Sequence, residues 1–229
     1  MQGIRTVLID VDNTLLDFNR CAEASLRAGF FARGLPWSEA VFPTFTAVND
    51  RLWEALERGE LDRDTLHGIR FGIVLEELGL TGDGRALEAA FVGNLAESHD
   101  PVDGAMALLS YLAPKYTLCV ASNGPYAQQE GRLRAAGMLP YFSQLFVSER
   151  IGCAKPNPVF FARCLAALPG TAAGEILLVG DSLTADIAGG AAAGFHTCWY
   201  NHNRRRDADD SAAEFTVERL CEIRERNIL

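Results

Sequence analysis

Ile4-Arg-Thr-Val-Leu-Ile-Asp10-Val-Asp12-Asn-Thr-Leu-Leu16 is the stretch from which the rest of this chain can be read. Thr6 to Ile9 is a short run of β-branched and aliphatic residues, the pattern of a strand buried on both faces of a parallel sheet, and it stops at Asp10 and Asp12. In an open α/β sheet the C-terminal edge of the strands is where ligands bind. Two carboxylates so close in sequence repel each other unless a cation or a shared proton relieves them. A bound Mg²⁺ is the simplest relief. An Asx-rich turn would account for Asp12-Asn13-Thr14, but it would leave Asp10 without a partner at the end of a buried strand.

From Asp17 onward the pattern becomes helical. Apolar residues recur every three or four positions in 21–31, 41–56, 66–78 and 87–95. Breaks fall at Gly34-Leu-Pro36, at Gly59 and across 79–84, and Ser38 and Asp62 are the expected N-caps. The spacing predicts a bundle of about four helices over 17–97, inserted after the first strand. Beyond Asp100-Pro101, strands are predicted at 116–121, 144–147, 175–179, 196–200 and 214–217. They alternate with helices at 125–136, 159–168 and 184–193. That alternation makes residues 1–16 and 98–229 one discontinuous α/β unit with a doubly wound parallel sheet.

With 48% hydrophobic and 22% charged residues, the 229-residue chain has the composition of a globular protein able to bury a full core. A net charge of −9 argues against nucleic acid or an anionic membrane as a partner. The one basic run, Arg204-Arg205-Arg206, is followed at once by Asp207, Asp209 and Asp210, and reads as a solvated loop. Six cysteines without a C-x-x-C pair read as free thiols of a reducing compartment. No stretch of 18 apolar residues occurs, so the expectation is a cytoplasmic protein, monomeric or homodimeric.

Four polar clusters fall just after predicted strands or in loops leading to helices: Asp10/Asp12, Ser122-Asn123, Lys155 and Asp181/Asp186. Strand C-termini of a parallel sheet share one edge, so these clusters should converge. Acids from two strands offer hard oxygens suited to Mg²⁺. A hydroxyl, the backbone N–H groups around Asn123-Gly124 and one ammonium suit a phosphoryl group. Lys155 is one of only two lysines beside nineteen arginines, so its place in a Pro-rich loop suggests that a compact point charge is needed there. Separately, Lys155 could be an exposed loop residue and Ser122 a helix cap; the four clusters together argue otherwise.

On Asp10-Val-Asp12-Asn-Thr14, Ser122-Asn123-Gly124, Lys155-Pro-Asn-Pro158 and Gly180-Asp-Ser-Leu-Thr-Ala-Asp186, the sequence resembles the haloacid dehalogenase superfamily. The resemblance implies a Rossmann-like core with a helical cap inserted after the first motif. It implies Asp10 as nucleophile, Asp12 as general acid/base, Ser122, Asn123 and Lys155 as phosphate anchors, and Asp10, Asp12, Asp181 and Asp186 around Mg²⁺. The reaction that follows is phosphomonoester hydrolysis through an aspartyl-phosphate. Dehalogenases lack the second acid, present here as Asp12, and phosphonate hydrolases need a cap lysine, whereas 17–97 contains none. The segments 47–53 and 66–71, with Lys155–Pro158 and Thr197-Cys-Trp199, look like the noncanonical-pyrimidine 5′-nucleotidase group. A nucleoside monophosphate is the substrate this implies. A phosphatase of sugar phosphates or phosphoglycolate, a sugar-phosphate mutase and a non-catalytic scaffold are the alternatives. Within the cap, Asn49 and Trp53 share a helix face, as do His67 and Phe71; with Arg70, and with Phe18 after the first motif, they are candidate contacts to base and sugar.

Overall fold

The computed structural model describes residues 3–206 and 209–229. Among these, six strands form one all-parallel sheet in the order β3-β2-β1-β4-β5-β6. They are β1 Thr6–Ile9, β2 Thr117–Ser122, β3 Gln144–Val147, β4 Ile176–Gly180, β5 His196–Tyr200 and β6 Phe215–Val217. β1 and β4 are buried along their whole length, which is why they read as unbroken apolar runs rather than as alternating ones. Their side chains alternate between two cores: Val7, Ile9, Leu177 and Val179 pack in one, and Leu8, Ile176 and Leu178 in the other. The sheet is thus covered on both faces, giving the Rossmann-like α/β architecture expected from the sequence.

Packing divides the described residues into two compact units, one running to Phe18 and resuming at His99, the other spanning Asn19–Ser98. The helices of the second are α1 Phe18–Ala32, whose first residue belongs to the sheet unit, α2 Val41–Glu57, α3 Arg63–Glu77 and α4 Gly84–Glu97. Asp62 caps α3 by accepting from Thr65 N at 2.7 Å, and Asp83 caps α4 by accepting from Ala86 N at 3.0 Å. Ser38 does not cap α2. The helix starts at Val41, and Ser38 supplies only its backbone carbonyl to Val41 N. At Gly84 a Cβ would lie 2.8 Å from Gly72 N, so glycine lets the start of α4 approach the backbone of α3.

In the sheet unit, α5 Ala105–Leu112 was not expected from the sequence. Its Leu108, Leu109 and Leu112 join the core around Val7 and Ile9, but eight residues give too few periods to stand out from the strand that follows. The next helices are α6 Tyr126–Ala135, α7 Ser148–Ile151 and α8 Pro158–Ala166. The helix predicted over 184–193 opens with a π-helical turn, Leu183–Ala188, before α9 Gly189–Ala192. Among the described residues, no helix is long and apolar enough to cross a membrane.

Candidate active site

From β1 the chain passes to β2 and β3 on one side and returns through β4 on the other, so the crevice at the end of β1 is a topological switch point. Ile9 is in register with Val120 of β2 and Val179 of β4, and Asp10 N donates to Val179 O at 2.9 Å. Asp10, Ser122 and Asp181 consequently leave three adjacent strands at nearly one level.

Lys155 is the hub of the site. Its Nζ donates to Asp10 Oδ1 at 2.8 Å, to Asp186 Oδ1 at 2.5 Å and to the Ala121 carbonyl at 2.6 Å, using all three protons at 2% exposure. The loop carrying it is fixed by Asn123, whose Nδ2 donates to Lys155 O at 3.0 Å and whose Oδ1 accepts from Lys155 N at 2.8 Å. The Asn123 side-chain amide is committed to ordering the lysine loop. Arginine could not replace the lysine without changing the geometry, because a planar fork does not reach three convergent acceptors as an ammonium does.

Asp10, Asp181 and Asp186 bring carboxylate oxygens within 4.8 Å of one another. Asp186 is further held by Ser182 N, which donates to its Oδ2 at 3.1 Å. Its position depends on Gly180, where a Cβ would fall 2.2 Å from Asp186 Oδ2. Trp199 Nε1 donates to the Asp181 carbonyl at 2.9 Å, and His202 Nε2 lies 3.6 Å from Asp181 Oδ2.

Burial raises the Asp10 pKa well above the ordinary carboxylate value. Lys155 opposes this, and the Asp186 and Asp181 charges add to it. Asp186 is raised for the same first reason. Burial on its own would lower the Lys155 pKa, but Asp10 and Asp186 together hold it above the usual lysine value. Three carboxyl groups thus share one ammonium, and their hard oxygen donors fit a Mg²⁺-type ion, which takes few carboxylates and keeps waters.

Asp12 does not join this cluster, which corrects the expectation that its carboxylate shares a cation with Asp10. Its Oδ1 accepts from Arg132 Nη1 at 2.6 Å and its Oδ2 from Gln129 Nε2 at 2.5 Å. The two acids are relieved separately, Asp10 by Lys155 and Asp12 by α6, because β1 ends at Ile9 and the chain beyond it no longer keeps residues two apart on one face as a strand would. Sequence reasoning missed Gln129 and Arg132. The sequence of α6, polar along most of its length, carries no signal that singles them out; only their burial, 1% exposed each, does so. Ser122 is buried, and its Oγ accepts from Gly124 N and from Gln129 Nε2, each at 3.1 Å.

The candidate contacts to base and sugar divide into two groups. Arg70 is 2% exposed and donates to Glu88 at 2.6 and 3.1 Å and to Asn49 Oδ1 at 2.8 Å, within a cage of Phe45, Phe71 and Phe91. His67 Nδ1 lies 2.7 Å from Glu88 Oε1. Asn49 and Arg70 thus form a buried network in which they satisfy each other, whereas Phe18, Trp53 and His67 keep part of their surface exposed.

The family model for haloacid dehalogenase-like hydrolases matches residues 4–194. The HAD-hydrolase YfnB of Bacillus subtilis is 36% identical over 97% of this chain and 95% of its own length. Its magnesium-bound crystal structure superposes with a TM-score of 0.93 over 100% of both chains. The pyrimidine 5′-nucleotidases PynA of Streptococcus pneumoniae and YjjG of Escherichia coli are 33% and 31% identical. They cover 97% and 95% of this chain and 96% and 95% of their own lengths.

Proposed function

Since this chain belongs to the haloacid dehalogenase-like hydrolases, we propose that it is a magnesium-dependent phosphomonoesterase acting on pyrimidine nucleoside 5′-monophosphates. The observation that carries the chemistry is the separation of the two acids that follow β1. Asp10 sits within the Lys155 and Asp181/Asp186 cluster, while Asp12 is held apart by α6.

Asp10 attacks phosphorus as the ester P–O bond breaks, giving an aspartyl-phosphate and dividing one hard displacement into two easier ones. Asp12 gives its proton to the departing alcohol oxygen. It then takes a proton from the water that cleaves the acyl-phosphate, which restores both acids. Ser122 donates to a phosphoryl oxygen, and Lys155, with its three protons committed to Asp10, Asp186 and the Ala121 carbonyl, acts on the phosphoryl group as a fixed positive charge, where positioning and charge dominate the catalysis. Mg²⁺, held by Asp10, Asp181 and Asp186, supplies the remaining positive charge when bound.

The phosphate site reads only the phosphoryl group, so selectivity is assigned to other side chains. The two nucleotidase relatives, similar over nearly their whole length, support a nucleotide substrate. Phe18, Trp53 and His67 are proposed to meet base and sugar, with Asn49 and Arg70 holding His67 through Glu88. A flat aromatic surface with few polar groups tolerates substituents on a stacked base. Phosphate release measured over UMP, dUMP, dTMP, purine monophosphates, phosphoglycolate and hexose phosphates, with Mg²⁺ or EDTA, tests this. The expected outcome is Mg²⁺-dependent hydrolysis with the highest kcat/KM on pyrimidine nucleotides. A tenfold preference for phosphoglycolate or a hexose phosphate would overturn the nucleotidase assignment and leave the phosphatase chemistry standing. EDTA-insensitive turnover would overturn the metal requirement.

A further inference from the structure

Gln129 is buried, and every polar atom of its side chain is engaged. One Nε2 proton goes to Asp12 Oδ2 at 2.5 Å and the other to Ser122 Oγ at 3.1 Å, while Oε1 faces Arg132 Nη1 at 3.4 Å. Those three contacts favour this orientation of the amide, since a flipped amide would aim its oxygen at the Asp12 carboxylate and its NH₂ at the Arg132 guanidinium. A serine oxygen has two lone pairs. At Ser122 they are taken by Gly124 N and Gln129 Nε2, so its hydroxyl proton is left to donate outward. Arg132 completes the arrangement from one turn further along α6, holding the other Asp12 oxygen at 2.6 Å. A buried glutamine serving only as filler would carry a desolvation cost that leucine or methionine avoids.

We infer that Gln129, with Arg132, is a positioning pair that ties the Ser122 hydroxyl to the Asp12 carboxylate, aiming one as a phosphate donor and the other at the leaving-group oxygen. The inference rests on the phosphomonoesterase reading and adds to it the residues that couple its two halves. Gly124 belongs to the same device. Its backbone is outside the left-handed region, yet a Cβ there would meet Gln129 Nε2 at 2.2 Å, so alanine would displace the amide while keeping the Gly124 N–H.

The test uses the full chain with saturating Mg²⁺, comparing wild type with Gln129→Leu, Gln129→Ala, Gly124→Ala and the Gly124→Ala/Gln129→Ala double variant. Each is assayed on p-nitrophenyl phosphate, whose leaving group needs little protonation, and on an alkyl phosphate, whose leaving group needs much. Misplacing a general acid sacrifices part of its catalytic effect, so kcat/KM for the alkyl ester should fall about 10–10²-fold and the aryl ester several-fold less. Competitive inhibition by orthophosphate should weaken as Ser122 loses its fixed rotamer. Gly124→Ala alone should reproduce the pattern yet add almost nothing to Gln129→Ala, because the clash it creates is then gone. Equal losses on both esters, or additive effects of the two alanines, would overturn the positioning role while wild-type hydrolysis still upheld the phosphatase. Wild-type protein that releases phosphate from neither ester would overturn both. If Gln129→Leu fails to fold, Gly124→Ala and its double variant decide the question alone.

Discussion

Lys155 spends one ammonium on two carboxylates and a carbonyl, and the consequences of removing it are residue-scale. Lys155→Met should abolish turnover and leave Asp10 and Asp186 as buried acids without their counter-charge. Breaking a buried pair from one side costs about 3–5 kcal/mol, so urea unfolding should show a loss of that order. Added Mg²⁺ should restore part of it. Asp10→Asn removes the nucleophile but leaves Lys155 paired to Asp186, so turnover should vanish in a protein that melts near the wild-type temperature. Asp12→Asn should hurt alkyl phosphates more than p-nitrophenyl phosphate, since an amide cannot protonate the leaving group. Equal losses on both esters would remove Asp12 from the acid role.

Elements decide where these side chains can stand. β4 ends at Gly180 because Asp186, one turn into the π-helical segment, folds back against that position. Gly180→Ala should displace Asp186 from Lys155 and weaken Mg²⁺ binding in a direct titration, even though the substituted residue carries no charge. In the helical unit, α3 and α4 are joined by Arg70 and Glu88. Glu88→Leu leaves the Arg70 guanidinium buried with Asn49, at a cost of about 3–5 kcal/mol, and Arg70→Leu/Glu88→Leu should recover part of that loss. Thermal unfolding of the single and double variants reads this coupling. A double variant that loses the full sum of two singles would show that the pair is not a unit.

At the scale of the whole molecule, a cation bound by Asp10, Asp181 and Asp186 joins two strands of the folded sheet and has no counterpart in the unfolded chain. Mg²⁺ should therefore raise the melting temperature by mass action, approaching about 2.7 kcal/mol at a hundred times its Kd. Asp181→Ala should lose most of the increment. A magnesium-independent melting temperature in wild-type protein would contradict the assignment of the acid cluster.

The sequence alone determined the parallel sheet, the inserted helices and the clusters that meet at one sheet edge. Those rest on local patterns: an apolar run ending in acids, a switch from period 2 to period 3.6, and caps such as Asp62. It did not reveal α5, which is too short to show its period. Which partner each charge takes was decided by tertiary structure. Asp10 and Asp12 are two residues apart, yet one meets Lys155 and the other Arg132, from segments more than a hundred residues away in sequence. The same holds for Arg70, read as a ligand contact and found bonded to Glu88 and Asn49. A side chain's charge is written in its residue type, but burial and the neighbour that compensates it exist only once distant segments have packed.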